Sequence, residues 1–556
     1  MKRVALVLLL CCIVATAGGV RIVEFCPDPY QSGDPDEYLV LEGSGTLDGI
    51  VISDGEGGFR FPPGARIDGR LTVARSAAAY AKSHSTLPDY ELFDYSPAVP
   101  DVLRSDDLRM ANSADELFVY HESTLLQTVA WPADVHPREG QIHYFENGVW
   151  DPRPLLIGQS RFSPATFENV QVTAFVAPDS ARSVFTDAVA AAESEILVNV
   201  YEFTDAGLAE SLVNARARGV NVIVLIEGGP VGGIPAEGRI VAGILNKGGV
   251  PVLQMTTTDA AHAKYRYNHA KYMVIDGRSV VIGSENYGWS GFPAAGTKGN
   301  RGWGVCLDNA ALAGYFRTVF LCDSSGGDII PLEGRHGEGE PGGAVPYTPE
   351  FAPFRTDGAR VTPVLSPDTS FLITAMLEGA ERTIAIEQAY ITNETRYELN
   401  PFLAAAINAS RRGVEVRVIL DAAWFNTEGD ADNDEMVAII NRIAAAEGLP
   451  LEARLADLHG SNLEKIHTKG VVVDGRRVLV SSINWNQNSP NFNREAGVII
   501  EDTAVAAYFL EVMRDDWYGS SPEKKGGGED IDYAKAGGAA IIIVAILALY
   551  RHRHRG

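Results

Sequence analysis

The chain has 556 residues, too many for one hydrophobic core, and its length predicts about three domains. Hydrophobic residues make up 46% and charged residues 21%, which is typical of a globular protein and excludes a disordered chain. The formal net charge of -25 excludes the broad basic surface that supplies most sequence-independent affinity for nucleic acid, although it leaves room for a local basic groove.

Residues 1–18 have the pattern of a secretory signal peptide. Lys2 and Arg3 precede an apolar stretch, and small residues from Ala15 to Ala17 then offer a cleavage site. The alternative is that the same stretch stays in place as an N-terminal anchor. Both interpretations predict that the bulk of the chain crosses a membrane.

Residues 19–150 have the pattern of an all-β domain. Short alternating runs such as "EYLVLEG" and "ELFVYH" are separated by clusters of Gly, Pro and Asp, which predicts a β-sandwich. The stretch "RIVEFCPDPYQSGDPDEYLVLEG", followed by "FRFPPGARIDGRLTVA", resembles the lamin-tail type of immunoglobulin-like domain. That resemblance implies a non-catalytic module that binds an unknown surface ligand or acts as a spacer.

Strands and helices alternate in residues 165–325 and again in residues 361–518. In the first segment, "SARSVFTDAVAAAESEILVNVYEF" predicts an amphipathic helix and then a buried strand, and "GLAESLVNARARGVNVIVLIEGG" repeats this order. Such alternation predicts βαβ units with a mostly parallel sheet. The second segment contains the corresponding stretches "PDTSFLITAMLEGAERTIAIEQAYIT" and "RRGVEVRVILDAAW". The sequence therefore predicts two duplicated α/β domains packed about a pseudo-twofold axis.

Two further segments predict linkers, and one predicts a membrane anchor. Residues 326–360 and 519–535 are rich in Gly, Pro and charged residues. Residues 536–550 are uncharged and apolar, and "RHRHRG" follows them. This order predicts a C-terminal transmembrane segment with a cytoplasmic tail and an extracytoplasmic catalytic body. The alternative is a processing signal that is removed after export.

Both predicted α/β domains carry the same polar residues at the same spacing, in "NHAKYMVIDGRSVVIGSEN" and "IHTKGVVVDGRRVLVSSIN". The two sets are His269, Lys271, Asp276, Ser284 and Asn286, and His467, Lys469, Asp474, Ser482 and Asn484. His and Lys lie two apart on a predicted strand, so their side chains project from one face. Two facing half-sites would pool imidazoles, ammonium groups, hydroxyls and carboxamides, which suits a phosphate diester without a metal.

This doubled HxKxxxxD pattern, with a Gly-Ser-x-Asn type of segment after each copy, resembles the phospholipase D superfamily. The resemblance covers both α/β halves and implies a phosphohistidine mechanism that needs no metal or other cofactor. It implies that His269 attacks phosphorus and that His467 acts as acid and base. It also implies a phosphate pocket formed by Lys271, Lys469, Asn286 and Asn484, supported by Ser284 and Ser482. Asp276 and Asp474 belong to the motif in either a catalytic or a structural role.

The two halves differ at one position of the family pattern. Glu495, in "NFNREAGVII", matches the carboxylate that holds a catalytic imidazole in the required tautomer, whereas the first half has Gly302 in "GNRGWGVCL". We therefore expect His467 to have its full set of partners and the histidine of the first half to lack one. Either another acid such as Glu285 or Asp308 substitutes, or the two halves are functionally unequal.

The superfamily acts on phospholipids, transfers phosphatidyl groups and cleaves nucleic acid, so other features must indicate the substrate. Predicted export, a membrane anchor and net acidity favour a phospholipid substrate at a membrane surface. Because both half-sites lie in one chain, we also predict that the site forms within a monomer. Trp289, Phe292 and Trp485 lie beside the motifs and would either contact acyl chains or pack in the core. The alternatives are an extracytoplasmic endonuclease and a non-catalytic phosphate-ligand binding protein.

Overall fold

The computed structural model describes residues 10–13, 19–93, 96–131, 138–146, 148–337, 345–395, 398–428 and 432–519. The chain divides into two compact units. The N-terminal unit comprises Met1–Gln159, Thr256–Tyr265 and Ser325–Ile329. The larger unit comprises Ser160–Met255, Arg266–Ser324 and Ile330–Gly556. The finer domain boundaries given above stay predictions.

The N-terminal unit is rich in β-sheet, as predicted. Its elements are β1 Leu10–Ile13, β2 Arg21–Cys26, β3 Tyr38–Thr46, β4 Ile50–Ser53, β5 Gly58–Arg60, β6 Arg66–Ala74, α1 Ala77–His84, β7 Tyr90–Glu91, β8 Leu103–Asp106, β9 Asp115–His121, β10 Thr124–Trp131, β11 His143–Glu146 and β12 Val149–Trp150. They form two six-stranded sheets, in the orders β1-β10-β9-β4-β5-β8 and β12-β11-β2-β3-β6-β7. Alternate residues such as Leu117, Val119 and Val129 are buried in a shared apolar core, which is the pattern of strands with one buried face.

The first strand falls inside the predicted signal peptide. Residues 10–13 form β1, which pairs antiparallel with β10, whereas the other residues of the segment 1–18 lie outside the described ranges. The signal peptide therefore gains no support from the structure and stays a prediction.

The larger unit is an α/β structure. Its first half contains β13 Phe167–Ala177, α2 Ala181–Ala191, β14 Glu195–Val200, α3 Ala206–Ala217, β15 Asn221–Glu227, α4 Ala236–Lys247, β16 Val252–Met255, β17 Lys271–Ile275, β18 Ser279–Gly283, β19 Gly302–Asp308 and α5 Ala310–Asp323. The short strand β20 Ile329–Pro331 follows. The second half contains β21 Phe354–Ser366, α6 Phe371–Glu378, β22 Thr383–Gln388, α7 Pro401–Arg411, β23 Glu415–Leu420, the 3-10 turn Trp424–Asn426, α8 Asn433–Glu447, β24 Leu451–Leu455, β25 Lys469–Val473, β26 Arg477–Ser481, α9 Ser489–Phe492, β27 Glu495–Glu501 and α10 Thr503–Tyr518.

One strand order occurs twice in the sheet of the larger unit. Outward from β13 the strands are β19, β18, β17, β14, β15 and β16, and outward from β21 they are β27, β26, β25, β22, β23 and β24. Each half also has its own buried apolar cluster. Residues 354–360, which the sequence placed in a linker, form the first part of β21.

The sheet is mixed rather than mostly parallel, so that expectation was wrong. Pairing is parallel between β14, β15 and β16 and between β22, β23 and β24, where helices connect consecutive strands. The motif strands β17 and β25 run antiparallel to their neighbours β14 and β22. The starts of the motif strands therefore lie beside the ends of the helix-connected strands, at one edge of the sheet.

The helices of the structure do not support the predicted membrane anchor. Within the described ranges, no helix is both long enough and apolar enough to span a bilayer. The longest, α10, has 16 residues, or about 24 Å, and contains charged residues such as Arg514 and Asp515. Residues 536–550 lie outside the described ranges. The predicted C-terminal transmembrane anchor is wrong on this finding.

One carboxyl group is buried in the middle of the sheet of the second half. Asn199 on β14 and Glu387 on β22 occupy corresponding positions, since each is the next-to-last residue of its strand. The Asn199 amide donates to Asp323 at 3.4 Å, whereas Glu387 lies beside Asp516. Burial and the charge of Asp516 raise the pKa of Glu387 well above its ordinary value. Burial therefore favours the protonated form of this carboxyl group more than in an exposed glutamate.

We expect Glu387→Gln to stabilise the protein, and to do so more at pH 8 than at pH 5. A carboxyl whose pKa is raised on folding contributes stability that is complete below its unfolded pKa of about 4.3 and is lost as the pH rises through its folded pKa. A glutamine amide does not titrate, so Glu387→Gln removes this loss of stability at high pH. Thermal unfolding at the two pH values measures the effect. The exposed substitution Glu378→Gln on α6 is the control, and an equal shift at both pH values would contradict the prediction.

Candidate active site

The two predicted motifs meet at one edge of the sheet in the larger unit. His269 and Lys271 lie at the start of β17, and His467 and Lys469 lie at the start of β25. Burial lowers the pKa of the His467 imidazole, and the charges of Lys469, Lys465, Lys271 and His269 lower it further, so these side chains lie in one neighbourhood. The pairing of the two half-sites that the sequence predicted is therefore present in the fold.

Two short segments cross between the halves and bring the motifs together. The backbone of His269 donates to Arg494 O at 2.8 Å, and that of His467 donates to Arg301 O at 2.8 Å. Each segment therefore delivers the residue that follows its arginine, Glu495 or Gly302, to the histidine of the opposite half.

Buried arginines hold both crossing segments. Arg301 binds Asp516 at 2.8 Å and Asp179 at 2.7 Å, and it donates to Ala177 O at 3.1 Å. Arg494 is held in the same manner by Asp323, Asp368 and Ser366 O, at distances from 2.8 to 3.1 Å. Removal of one partner from such a buried pair costs about 3–5 kcal/mol, because the other charge stays behind uncompensated.

The histidine and carboxylate pairs also cross between the halves, which corrects the predicted pairing. His269 Nδ1 lies 2.8 Å from Glu495, the carboxylate expected to serve His467. His467 Nδ1 lies 3.1 Å from Glu285. The histidine left without the family carboxylate is therefore His467, because the segment that approaches it carries Gly302. Of the two substitutes that the sequence offered, Glu285 contacts the imidazole, whereas Asp308 accepts a hydrogen bond from Ser279.

The two carboxylates have unequal surroundings. Glu495 is fully buried and accepts hydrogen bonds from Ser482 at 2.6 Å, Ser489 at 2.5 Å and Asn493 at 3.1 Å. Burial alone would raise the pKa of Glu495, but the neighbouring His269 imidazole holds it below its ordinary value. Glu285 accepts from Asn300 at 2.8 Å, and burial raises its pKa.

Two buried lysines and two partly buried histidines lie together at this edge. Lys271 and Lys469 are each only 1% exposed, and their ammonium groups donate to the carbonyl oxygens of His269 and His467 at 2.8 and 2.6 Å. Burial lowers the pKa of Lys271 to about 8 and that of Lys469 well below its ordinary value. Burial also lowers the pKa of both histidines. An anion bound here would relieve the desolvation and the mutual repulsion of these groups.

The two asparagines of the motif line the same region. The amide Nδ2 of Asn286 donates to Glu202 at 3.4 Å. The side-chain oxygens of Asn286 and Asn484 are buried and make no hydrogen bond. Buried polar atoms without partners are uncommon in proteins, and an amide oxygen accepts, so a hydroxyl or N–H donor rather than a phosphate oxygen would be its partner.

The two serines support neighbouring groups instead. Ser284 Oγ accepts from the Trp303 backbone at 3.1 Å, and Ser482 Oγ donates to Glu495. The supporting role that the family resemblance implied for them stays a prediction.

The two aspartates of the motif lie away from the imidazoles. Asp276 directly follows β17, about 17 Å from Lys271 along the strand direction, and accepts backbone hydrogen bonds from Glu193, Ser194 and Glu195. Asp474 accepts the equivalent bonds at the end of β25. Both aspartates have a positive φ, at 53° and 56°, and each precedes a glycine that also has a positive φ. This geometry favours the structural role.

Sequence reasoning missed two acids that hold the motif segments. Glu227 accepts from the backbone of Asn268 at 2.6 Å, and Asp421 accepts from that of Ile466 at 2.7 Å. Each therefore fixes the residue just before a motif histidine. The signal was present, because the repeated stretches "VLIEGG" and "VILDAAW" place these acids at the same point after a strand.

Aromatic residues near the motifs divide between core and surface. Phe292 and Trp485 are buried in the apolar clusters, so core packing was the correct alternative for them, whereas Trp289 is partly exposed. Tyr201, which sequence reasoning also missed, packs its ring 4.7 Å from the His269 ring.

The described residues contain no group of three or more His, Cys, Asp or Glu side chains placed to hold a metal ion. Independence of metals and of other cofactors stays a prediction.

Comparisons with known proteins point to one family. The family model for the PLD-like domain of cardiolipin synthase matches residues 185–323 and 373–517, just over half of the chain. The chain is 24% identical over 335 residues to cardiolipin synthase A of Serratia proteamaculans (strain 568), covering 56% of this chain and 61% of that protein. The chain thus spans about 60% of the length of the curated cardiolipin synthases it matches.

Two further proteins are similar over different parts of the chain. Mitochondrial cardiolipin hydrolase of Mus musculus is 29% identical over 126 residues, covering 22% of this chain and 50% of that protein. Among solved structures, phosphatidylserine synthase of Haemophilus influenzae Rd KW20 matches with a TM-score of 0.47 and 14% identity, covering 67% of this chain and 93% of that chain.

The buried basic groups predict a pH-dependent anion site. We expect sulfate to stabilise the protein against heat at pH 7, and to do so less as the pH rises through about 8, where Lys271 loses its proton. Thermal unfolding with and without sulfate measures this difference. Sulfate also stabilises proteins generally. The stabilisation that comes from binding at this site is therefore the portion that is lost in the double variant Lys271→Met/Lys469→Met. Lys247→Met, at an exposed position of α4, is the control, and an unchanged sulfate effect in the double variant would exclude the site.

Proposed function

The chain belongs to the family defined by the PLD-like domain of cardiolipin synthase, and we propose that it is a phosphodiesterase or phosphatidyltransferase that acts on phospholipids through a phosphohistidine intermediate. One observation carries this proposal: two imidazoles, each with Nδ1 on a buried carboxylate and each beside a buried lysine, lie together in the larger unit. With Nδ1 occupied, Nε2 of each ring is the nitrogen available for chemistry.

The proposed reaction has two steps on one phosphorus atom. In the first step, Nε2 of one histidine forms a bond to phosphorus while the bond to the leaving alcohol breaks, and the other histidine donates a proton to that alcohol. In the second step, the now neutral imidazole takes a proton from water or an acceptor alcohol, whose oxygen displaces the histidine from phosphorus. The family resemblance assigns the attack to His269 and the proton transfers to His467.

Lys271, Lys469, Asn286 and Asn484 are proposed to bind the phosphate oxygens. Their ammonium and amide N–H groups are donors of the kind that bind phosphate oxygens, and binding to the two cations is charge-assisted. The repeated strand order further supports the proposal that the two halves arose by duplication and share one site within a single chain. For the N-terminal unit we propose a lamin-tail-like module that binds a surface ligand.

Two considerations favour a phospholipid over nucleic acid. The relatives named above are a cardiolipin synthase and a cardiolipin hydrolase, and cardiolipin is a phospholipid. The formal net charge of -25 also opposes the approach of a polyanion.

Exposed aromatic rings beside the site offer a contact for a lipid surface. Trp424 and Phe425 are 68% and 51% exposed, in the turn that follows β23. The ammonium group of Lys465 lies 5.7 Å from the centre of the Phe425 ring, and Asp421, which fixes Ile466, starts the same loop. Exposed Trp and Phe next to a cation suit the boundary between lipid headgroups and acyl chains.

The reaction is tested with labelled phospholipid and with plasmid DNA, both in chelator. We expect release of the lipid headgroup, and a loss of at least about 10³-fold in His467→Ala, because the leaving group then has no proton donor. His459→Ala, at an exposed position of the second half, is the control. Nicking of DNA without lipid release would support the endonuclease alternative. Binding of phosphate without either activity would support a non-catalytic protein, and a requirement for a divalent metal would contradict the mechanism.

The order of the two histidines is tested by trapping the intermediate. If His269 is the nucleophile, His467→Ala retains ³²P from a labelled diester whose leaving group needs no proton, such as a nitrophenolate, and His269→Ala does not. The reverse pattern would exchange the two roles.

The lipid contact predicts a loss that depends on how the substrate is presented. Trp424→Ala/Phe425→Ala is expected to lower activity on phospholipid vesicles by about tenfold or more, because two apolar anchors are lost. Activity on a dispersed short-chain phospholipid should change little. Leu125→Ala, which removes an exposed apolar side chain of the N-terminal unit, is the control. Equal losses on both substrates would assign the pair a structural role.

A further inference from the structure

The two halves place their imidazole-holding carboxylates at different positions of the chain. In the second half, Ile483 precedes the motif asparagine, and β27 begins with Glu495. In the first half, Glu285 precedes the motif asparagine, and β19 begins with Gly302. The acid therefore lies just before the motif asparagine in the first half, but at the start of the later strand in the second half.

The space around Gly302 explains why residues 285 and 302 of the first half cannot both carry a carboxylate side chain. A Cβ atom at Gly302 would lie 2.4 Å from both Cγ and Oε1 of Glu285. Real Cβ atoms do not approach other atoms so closely, and Glu285 is only 5% exposed and has little room to move. The Glu285 side chain thus occupies the space that a carboxylate on residue 302 would need.

The second half has the complementary arrangement. Ile483 is fully buried in the apolar cluster of that half, where no acid is required because Glu495 already binds His269. Each imidazole therefore has one carboxylate, although the two acids come from different strand ends.

We infer that Glu285 is the positioning residue of His467, and that it replaces the acid missing at Gly302 by reaching the same imidazole from the preceding loop. This inference rests on the proposed function. Glu285 Oε1 lies 3.1 Å from His467 Nδ1, while the other oxygen accepts from Asn300 at 2.8 Å. The second contact fixes the carboxylate, and the first keeps Nδ1 protonated and Nε2 directed to substrate.

An exchange of residues between the halves tests the inference. Glu285→Ile copies Ile483 and is expected to lower kcat about 100-fold with little change in KM, because the imidazole loses its orientation while the phosphate ligands stay. Gly302→Glu alone is expected to destabilise the protein through the collision with Glu285. The double variant Glu285→Ile/Gly302→Glu copies both positions of the second half and is expected to recover at least about tenfold of the lost kcat.

Controls separate positioning from a general structural effect. Asp308→Asn removes the other acid that the sequence offered, and it is expected to leave kcat unchanged because Asp308 binds Ser279. Glu285→Gln keeps the shape of the side chain and should lower kcat with KM unchanged, which keeps the test valid if Glu285→Ile does not fold. A double variant no more active than Glu285→Ile, or a Glu285→Gln variant as active as the parent protein, would overturn the inference.

A second readout does not depend on activity. The Nδ1 protons of His269 and His467, each hydrogen-bonded to a carboxylate, are expected to give two downfield ¹H NMR signals in histidine-labelled protein, and the signal absent in His467→Ala is that of His467. This signal should disappear in Glu285→Ile and return in the double variant. If the parent protein cleaves no phosphodiester but shows this behaviour, the proposed function fails and the positioning role stands. If the protein is active but the signal is unaffected by Glu285→Ile, the positioning role fails alone.

Discussion

The candidate site depends on two crossing backbone segments, each held by one buried arginine. Arg301 and Arg494 are almost fully buried and bind aspartates on other elements of the larger unit. Buried ion pairs add little net stability, because desolvation offsets their attraction, but a wrong arrangement leaves a charge without a partner. Their geometry therefore fixes where each segment lies. That placement sets the two carbonyl groups that bind the backbones of His269 and His467, and it sets the position of Glu495.

The site concentrates charge at a considerable electrostatic cost. Two lysines and two histidines share a buried edge of the sheet, and burial lowers the pKa of all four groups. The two carboxylates offset part of this cost, but unequally, because Glu495 has three further hydrogen-bond donors and Glu285 has one. A phosphate diester supplies the missing negative charge at the point where the four basic groups converge. Recognition of substrate and relief of the buried charges are therefore the same event.

The two halves share a strand order but not a set of residues. Where the first half has Asn199, the second has the buried Glu387, and where the second half has Glu495, the first relies on Glu285. Such substitutions are tolerated when the function of a side chain, a hydrogen bond or a negative charge, is supplied from a neighbouring position. The exposed turn with Trp424 and Phe425 is a third difference between the halves, and it lies beside the histidine segment of the second half.

The sequence by itself determined the all-β and α/β classes of the two regions and the family. It also determined the histidines and lysines of the site, because those residues recur at fixed spacing inside apolar runs. It could not show the mixed pairing of the sheet or the pairing of each histidine with a carboxylate of the opposite half. His269 and Glu495 are 226 residues apart, and only the crossing of the segments at Arg301 and Arg494 brings them within 2.8 Å. Spacing along a strand indicates which side chains share a face, whereas contacts between distant segments are decided by tertiary packing. For that reason the sequence assigned the missing carboxylate to the wrong histidine, and the fold reassigned it.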